Sequence, residues 1–314
     1  MQRIKINAFT LIELLVVIAI IGILSALIVV GMSSATQKAS VAKAQVFANS
    51  LRNSLMADMV SEWKLDDGTG NSTTKDSWAS TFTNTGTLGT ATVGDASEPT
   101  WLSTGCVSGN CLSFDGADDY VNFGNNASLS MGTKDHTISL WVEFINPTAL
   151  QDETMIRTGA GGSGAGYWIY RFTGTNKLRF LFHDGVGSQA SGYLSADGTL
   201  VAGIWYNIAI IMDRDSNAQA YINGQIQTSY PIVISGNQGT IQNVTNLMVG
   251  AQDASTRRLT GKMDEVKIFH AIPSISQIQQ NYYAGLNKLL AKRGVETSEY
   301  EQRVADLISN YAKE

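Results

Sequence analysis

The sequence has no excess of positive charge. Its 314 residues hold 22 Lys and Arg against 27 Asp and Glu, a formal charge of −5. A protein that grips nucleic acid through its phosphates presents a basic patch, so no nucleic-acid partner is expected here. Cysteine is nearly absent. Cys106 and Cys111 are the only two, and a lone C-x-x-x-x-C lacks the second pair that a structural zinc site needs. The spacing is compatible with a short loop closed by a disulfide or with two free thiols. The three histidines, His136, His183 and His270, are scattered. None has an E-x-x-H partner, and no Ser-His-Asp arrangement can be argued from their spacing. The glycine run at 159–164 fits G-x-G-x-x-G on paper. The strand pattern Tyr167–Phe172 follows it where a dinucleotide site needs a helix, so it reads as a hairpin loop.

What the sequence does have is a long apolar run at its start. Residues 1–8, MQRIKINA, are short and basic; residues 9–32 are almost wholly apolar, with no charge from Leu14 to Met32. That length suits a helix crossing the hydrocarbon core, with the basic leader on the cytoplasmic side and the bulk of the chain exported. Glu13 interrupts the pattern. A carboxylate at that depth is costly and marks a functional position. An ordinary secretory signal would not carry it, and would place its small residue after the apolar region rather than at Ala8 before it. Residues 33–61 contain no Gly or Pro, and Val41, Ala44, Phe47, Leu51, Leu55 and Met59 fall on one helical stripe. A continuous helix over 9–61 would be roughly 80 Å long at 1.5 Å per residue.

The run A-F-T-L-I-E at 8–13 resembles the prepilin cleavage and methylation signature of type IV pilins and type II secretion pseudopilins. The resemblance implies that a prepilin peptidase cuts between Ala8 and Phe9. Phe9 is then N-methylated and Glu13 becomes the fifth mature residue. Removal of the leader takes Arg3 and Lys5, leaving 20 basic against 27 acidic residues. A free amine at Phe9 and the carboxylate of Glu13 on a neighbouring subunit would neutralise one another in low dielectric and set the register of assembly. The implied partners are the peptidase, the membrane and other pilin or pseudopilin subunits. The implied location is a single pass of the cytoplasmic membrane before assembly, then an extracellular or periplasmic filament. In that oxidising setting a Cys106–Cys111 disulfide is favoured over free thiols.

Beyond Trp63 helical periodicity stops. Short apolar runs alternate with turn residues, and Asn223-Gly224 between two alternating runs is a two-residue hairpin signal. This is an all-β antiparallel sandwich pattern. Six segments, in order, resemble the laminin-G-like domains of the concanavalin A-like lectin/glucanase superfamily. They are W-K-L-D-D-G-T-G at 63–70, C-L-S-F-D-G-A-D-D-Y-V at 111–121, T-I-S-L-W-V at 137–142, W-Y-N-I-A at 205–209, A-Y-I-N-G at 220–224 and G-K-M-D-E-V-K-I-F at 261–269. The expected organisation is a leader at 1–8, a membrane and assembly helix at 9–61, a jelly-roll sandwich at 62–283 with a short helix at its end, and a helical tail at 284–314. Ser298 and Glu301 have capping-box spacing in that tail.

The acidic residues gather in turns, where hard oxygen ligands suit calcium. The resemblance implies one structural calcium where the first and last strands meet, with Asp66, Asp76 and Asp264 as ligands. Trp141 and Trp205 lie in strand patterns and read as core; Trp78, Trp101 and Trp168 lie nearer loops and read as candidates for an exposed platform. The superfamily's glucanases carry E-x-D-x-E on one strand. No such run occurs here, so no catalytic residues and no enzyme activity are expected. The expected function is a pilin-like subunit that assembles through its helix and displays a domain for an extracellular glycan or surface protein. The alternatives are a pseudopilin of a secretion or DNA-uptake machine whose β-domain contacts the machine or its cargo, and a membrane-tethered carbohydrate-active enzyme.

Overall fold

The computed structural model describes residues 46, 58–78, 84–148, 150–159, 164–242, 245–253 and 256–311. The strands among them, in chain order, are β1 Met59–Trp63, β2 Thr73–Thr74, β3 Gly86–Leu88, β4 Thr100–Leu102, β5 Cys111–Asp115, β6 Val121–Asn122, β7 His136–Phe144, β8 Glu153–Thr158, β9 Gly166–Arg171, β10 Leu178–His183, β11 Ala190–Tyr193, β12 Trp205–Met212, β13 Asn217–Ile222, β14 Gln225–Ile226, β15 Ile232–Val233, β16 Met248–Val249 and β17 Thr260–Phe269. Two helices close the chain, α1 Ile275–Ala291 and α2 Thr297–Tyr311. The strands form two sheets. The first runs β14-β13-β12-β7-β17-β5-β4, with β1 also on β17 and β15 on β13; the second runs β11-β10-β9-β8-β16-β6-β3-β2. Every ladder between named strands is antiparallel.

The two-residue period of the strands divides their side chains between faces. Ile138, Leu140, Val142 and Phe144 of β7 and Ile208, Ile210 and Met212 of β12 point inward. They meet Ile169 of β9 and Leu178, Phe180 and Phe182 of β10 in one core between the sheets. The hairpin at Asn223-Gly224 forms as the dipeptide predicts: Ile222 pairs with Gln225, and both turn residues have positive φ, 53° and 73°, the signature of a type I′ turn.

The outer face of the first sheet is also apolar, and the C-terminal helices cover it. Trp141 and Trp205 are 2% and 3% exposed, yet they belong to a second core with Tyr282, Leu286 and Leu289 of α1 and the Cys106–Cys111 pair. Trp141 stacks on Tyr282 with ring centres 5.7 Å apart. From α2, Arg303 Nη1 donates to the Trp205 carbonyl at 2.9 Å, and Tyr300 Oη donates to Asn287 Oδ1 of α1 at 2.9 Å. The tail therefore completes the domain.

Gly285 sets how closely α1 lies on the sheet, because a methyl there would overlap the Trp141 indole. Ala is the better helix former by up to about 1 kcal/mol, but Trp141 is walled in and cannot yield. Gly285→Ala is expected to lower stability by about 1–3 kcal/mol in urea denaturation.

Three boundaries differ from the sequence expectation. Met59, the last member of the helical stripe, lies in β1 opposite Phe269, because edge pairing on β17 outweighs the helical period there. The helix after Ser274 continues across residue 283 to Ala291, and its capping box is Ser274 with Gln277. Ser298 falls inside α2, which begins at Thr297, so Ser298 is not a cap. Among the described residues no helix is long and apolar enough to cross a membrane; the expected membrane helix over 9–32 lies outside them.

Candidate functional site

Ala8, Phe9 and Glu13 lie outside the described residues. The Cys106–Cys111 disulfide is formed, with Cα atoms 5.5 Å apart. The loop it closes is held from beneath by two of the expected calcium ligands. Asp66 Oδ1 accepts from Asn110 N–H at 2.7 Å and Asp264 Oδ2 from Ser108 N–H at 2.9 Å. Asp264 is fully buried. Burial, reinforced by neighbouring Glu265, holds its carboxyl well above the usual carboxylate range. Burial also opposes ionisation of Glu265, but Lys267 at 3.3 Å and Lys288 at 2.8 Å outweigh it and bring Glu265 down to about 2. Asp76 lies elsewhere: its Oδ1 accepts from the N–H groups of Glu62 and Trp78 at 3.1 and 3.0 Å. Asp66 and Asp264 thus fasten the one disulfide loop while Asp76 fastens the backbone at Glu62 and Trp78, so the three expected ligands are not gathered at one point.

The acidic cluster that does form is local. Asp115, Asp118 and Asp119, in the turn between β5 and β6, each offer an oxygen within 4.8 Å of the others. Burial, with the negative charges of Asp115 and Asp118 beside it, pushes Asp119 up to about 6. The arrangement fits a divalent cation with oxygen ligands, although Asp119 Oδ2 already accepts from Asp115 N–H at 2.7 Å and Asp115 Oδ1 from Ala117 N–H at 2.7 Å.

The outer face of the second sheet is built differently from that of the first. On β9 the inward residues Tyr167 and Ile169 alternate with Trp168 and Tyr170, which form a separate cluster with Phe172 and Leu181. Trp168 stacks on Tyr170 with centroids 3.9 Å apart, and Phe172 meets Tyr193 edge-on at 5.4 Å. Cations close over these rings. Arg257 lies 4.6 Å from the Trp168 ring centre, Arg179 lies 5.2 Å from Phe172 and 5.0 Å from Tyr193, and Lys177 lies 4.5 Å from Tyr193. The register explains the assembly: Arg157, Trp168, Leu181 and Ser191 make one cross-strand row, and Tyr170, Arg179 and Tyr193 the next. Arg257 pairs with Asp152 at 3.6 Å and Lys177 with Asp197 at 2.6 Å. Arg179 Nη1 instead meets the Tyr193 hydroxyl at 3.2 Å. Chemically the face offers guanidinium donors backed by aromatic surface. That suits hydroxyl and carboxylate groups on a ligand with an apolar side.

The tryptophan expectations divide accordingly. Trp141 and Trp205 are buried, in the helix-covered core. Trp168 is 4% exposed and is no exposed platform; the cation layer lies over it. Trp101 is half-buried and donates to the Asn71 carbonyl at 2.8 Å. Trp78 is half-buried against Met59 and Phe269. The alternation of aromatics in Y-W-I-Y-R-F at 167–172 was the available signal for a sheet with rings on both faces. The cations over them come from β10, from the turn before it and from the chain before β17, which no local pattern reveals.

Residues 115–279 match the concanavalin A-like lectin/glucanases superfamily, and residues 3–29 match the prokaryotic N-terminal methylation motif. No curated protein matches in sequence. Solved structures share the fold. The binding domain of Paraclostridial Mosquitocidal Protein 1 superposes with a TM-score of 0.56 at 14% identity, over 74% of this chain and 53% of that one. The botulinum neurotoxin serotype D ligand binding domain, solved in complex with N-acetylneuraminic acid, gives 0.56 at 13% identity, over 75% and 53%. Domain 4 of AbnA, a GH43 extracellular arabinanase from Geobacillus stearothermophilus, solved in complex with arabinotriose, gives 0.51 at 17% identity, over 70% and 96%. The chain thus spans about half the length of the toxin domains and nearly all of the arabinanase domain. With more than half of its length matched, the chain belongs to the concanavalin A-like lectin/glucanase superfamily, and it carries that domain behind a prepilin-type methylation motif.

Proposed function

We propose that this protein is a type IV pilin-like subunit whose β-domain binds a glycan, without hydrolysing it, through the cation-covered aromatic face of its second sheet. The observation that carries the reading is the contrast between the two outer faces. Helices α1 and α2 close the face of the first sheet. Among the described residues no helix lies on the second, whose aromatic rings are capped only by Arg179, Arg257 and Lys177. Guanidinium groups over rings form hydrogen bonds to sugar hydroxyls and carboxylates while the half-buried rings of Phe172 and Tyr193 meet the apolar face of a pyranose or furanose. Two of the solved relatives by fold were crystallised with sugars. The absence of E-x-D-x-E supports binding over hydrolysis. Calcium held by Asp115, Asp118 and Asp119 would fasten the β5–β6 turn.

In this reading the prepilin peptidase cuts before Phe9, and Glu13 pairs with the methylated terminus of a neighbouring subunit. Mass spectrometry of cell-surface protein is expected to find a mature chain beginning at N-methylated Phe9; any other start removes the filament half of the proposal. A glycan array probed with the full chain tests the other half. Wild type is expected to retain at least one glycan intact. Arg179→Ala with Tyr193→Ala is expected to weaken it about 10–100-fold, the range for hydrogen bonds to a charged group. Retention by the variant moves binding off this face. A silent array with folded protein favours the pseudopilin alternative, in which the domain meets machine components or cargo.

A further inference from the structure

Two histidines far apart in sequence meet at one end of the sandwich. His136 opens β7 and His270 follows β17 directly. The pairing of Thr137 with Phe269 continues between these strands and brings the two residues opposite one another. Their ring centroids are 5.2 Å apart, and Tyr167, from the facing sheet, stands 5.6 Å from His136. His136 and Tyr167 are fully buried. Both His136 nitrogens, the Tyr167 hydroxyl and His270 Nε2 have no hydrogen-bond partner. Four orphaned buried polar atoms on three neighbouring rings are unusual, since the great majority of such atoms are paired with protein, water or an ion.

Burial, with His270 close by, keeps His136 well below the usual imidazole range. Burial and nearby Lys134 lower His270, against the opposing pull of Asp58. The backbone of Ser130 is hydrogen-bonded to the His270 ring. Since Nε2 is the unpartnered nitrogen, the bonded one is Nδ1. A metal-binding imidazole is oriented in this way, one nitrogen fixed by a backbone carbonyl and the other presented to the ion. His270 is half-buried and gives the site a route to solvent.

We propose that His136, His270 and Tyr167 form a binding site for a transition-metal dication of the kind that favours imidazole, such as zinc or copper. The ion enters beside His270 and takes one nitrogen from each imidazole. Burial by itself raises the Tyr167 phenol; the dication beside it reverses that, so the proton passes to solvent and the phenolate offsets one of the two charges brought into the core. The site joins both sheets at the end where the described chain enters β1, for the Asp58 carbonyl accepts from His270 N–H at 2.7 Å. A bound ion would clip that entry.

The test uses the untagged full chain in detergent, stripped with chelator and titrated with zinc, then with copper. Wild type is expected to take up zinc at a histidine site and to melt about 5–10 °C higher with zinc a hundredfold above its dissociation constant. With copper it is expected to show a phenolate-to-copper absorption band and nitrogen hyperfine splitting. Tyr167→Phe keeps the ring and should abolish the band. His270→Gln should weaken zinc at least tenfold. His183→Gln and Asp119→Asn should change neither. The proposal is overturned if stripped wild type gains no zinc over His270→Gln, if uptake follows His183 or Asp119, or if the copper form lacks the phenolate band. Ordered water alone in a crystal grown with zinc would also overturn it.

Discussion

Cut after Ser274, the chain is expected to lose cooperative unfolding and to aggregate, while Trp141→Ala in the full chain is expected to lower stability by about 3–5 kcal/mol. Both follow from the covered face of the first sheet. Trp141, Trp205, Ala209, Ile211 and Tyr221 are each under 10% exposed beneath the C-terminal helices and their supporting loops. Bared together they form an apolar patch of the size that drives association. Trp141 also loses its stacked partner Tyr282, and Lys288 of α1 leaves Glu265 behind. Size-exclusion chromatography with intrinsic fluorescence during denaturation measures the effect. A truncated chain that stays monomeric and unfolds at the full-length midpoint would show that the helices contribute nothing to the domain.

The reason this role escaped the sequence is physical. Trp141 and Trp205 alternate with inward residues on their strands, and period two says only that one face holds Leu140 and Val142 and the other Trp141. It does not say that both faces are buried, nor by what. The strands themselves were legible because alternation and turn chemistry agree, as at Ile222-Asn223-Gly224-Gln225. Met59 was misplaced because one residue at helical spacing also suits a strand when Phe269 waits opposite. Among the site residues, Asp115, Asp118 and Asp119 were visible as acids of one turn, since a turn of five residues brings its own side chains together. Asp66, Asp76 and Asp264 needed tertiary placement: the fold sets Asp66 and Asp264 under the disulfide loop and Asp76 on the backbone at Glu62 and Trp78. His136 and His270 meet only through the register of β7 and β17.

The second large effect lies at a buried ion pair between two neighbouring strands of the second sheet. Glu153 and Arg171 form an ion pair at 3.2 Å with side chains 1% and 0% exposed, and Arg171 also lies over the Phe144 ring and donates to the Asn146 carbonyl. Burial pushes Glu153 up to about 7 from 4.5, even with Arg171 pulling the other way. Attraction therefore does not repay desolvation, and the pair opposes folding relative to an apolar filling. Between pH 4.5 and about 7 the folded state keeps a proton that the unfolded state has lost. The stability linked to this proton is complete below 4.5 and is lost as pH rises through 7. Glu153→Leu alone strands the Arg171 charge and is expected to cost about 3–5 kcal/mol. Glu153→Leu with Arg171→Met removes both charges and is expected to match or exceed wild type by up to about 4 kcal/mol at pH 8. The double variant should also lose this part of the decline in stability between pH 4.5 and 7. Urea denaturation across that range decides the matter: a double variant less stable than Glu153→Leu would mean that the pair holds these two strands together.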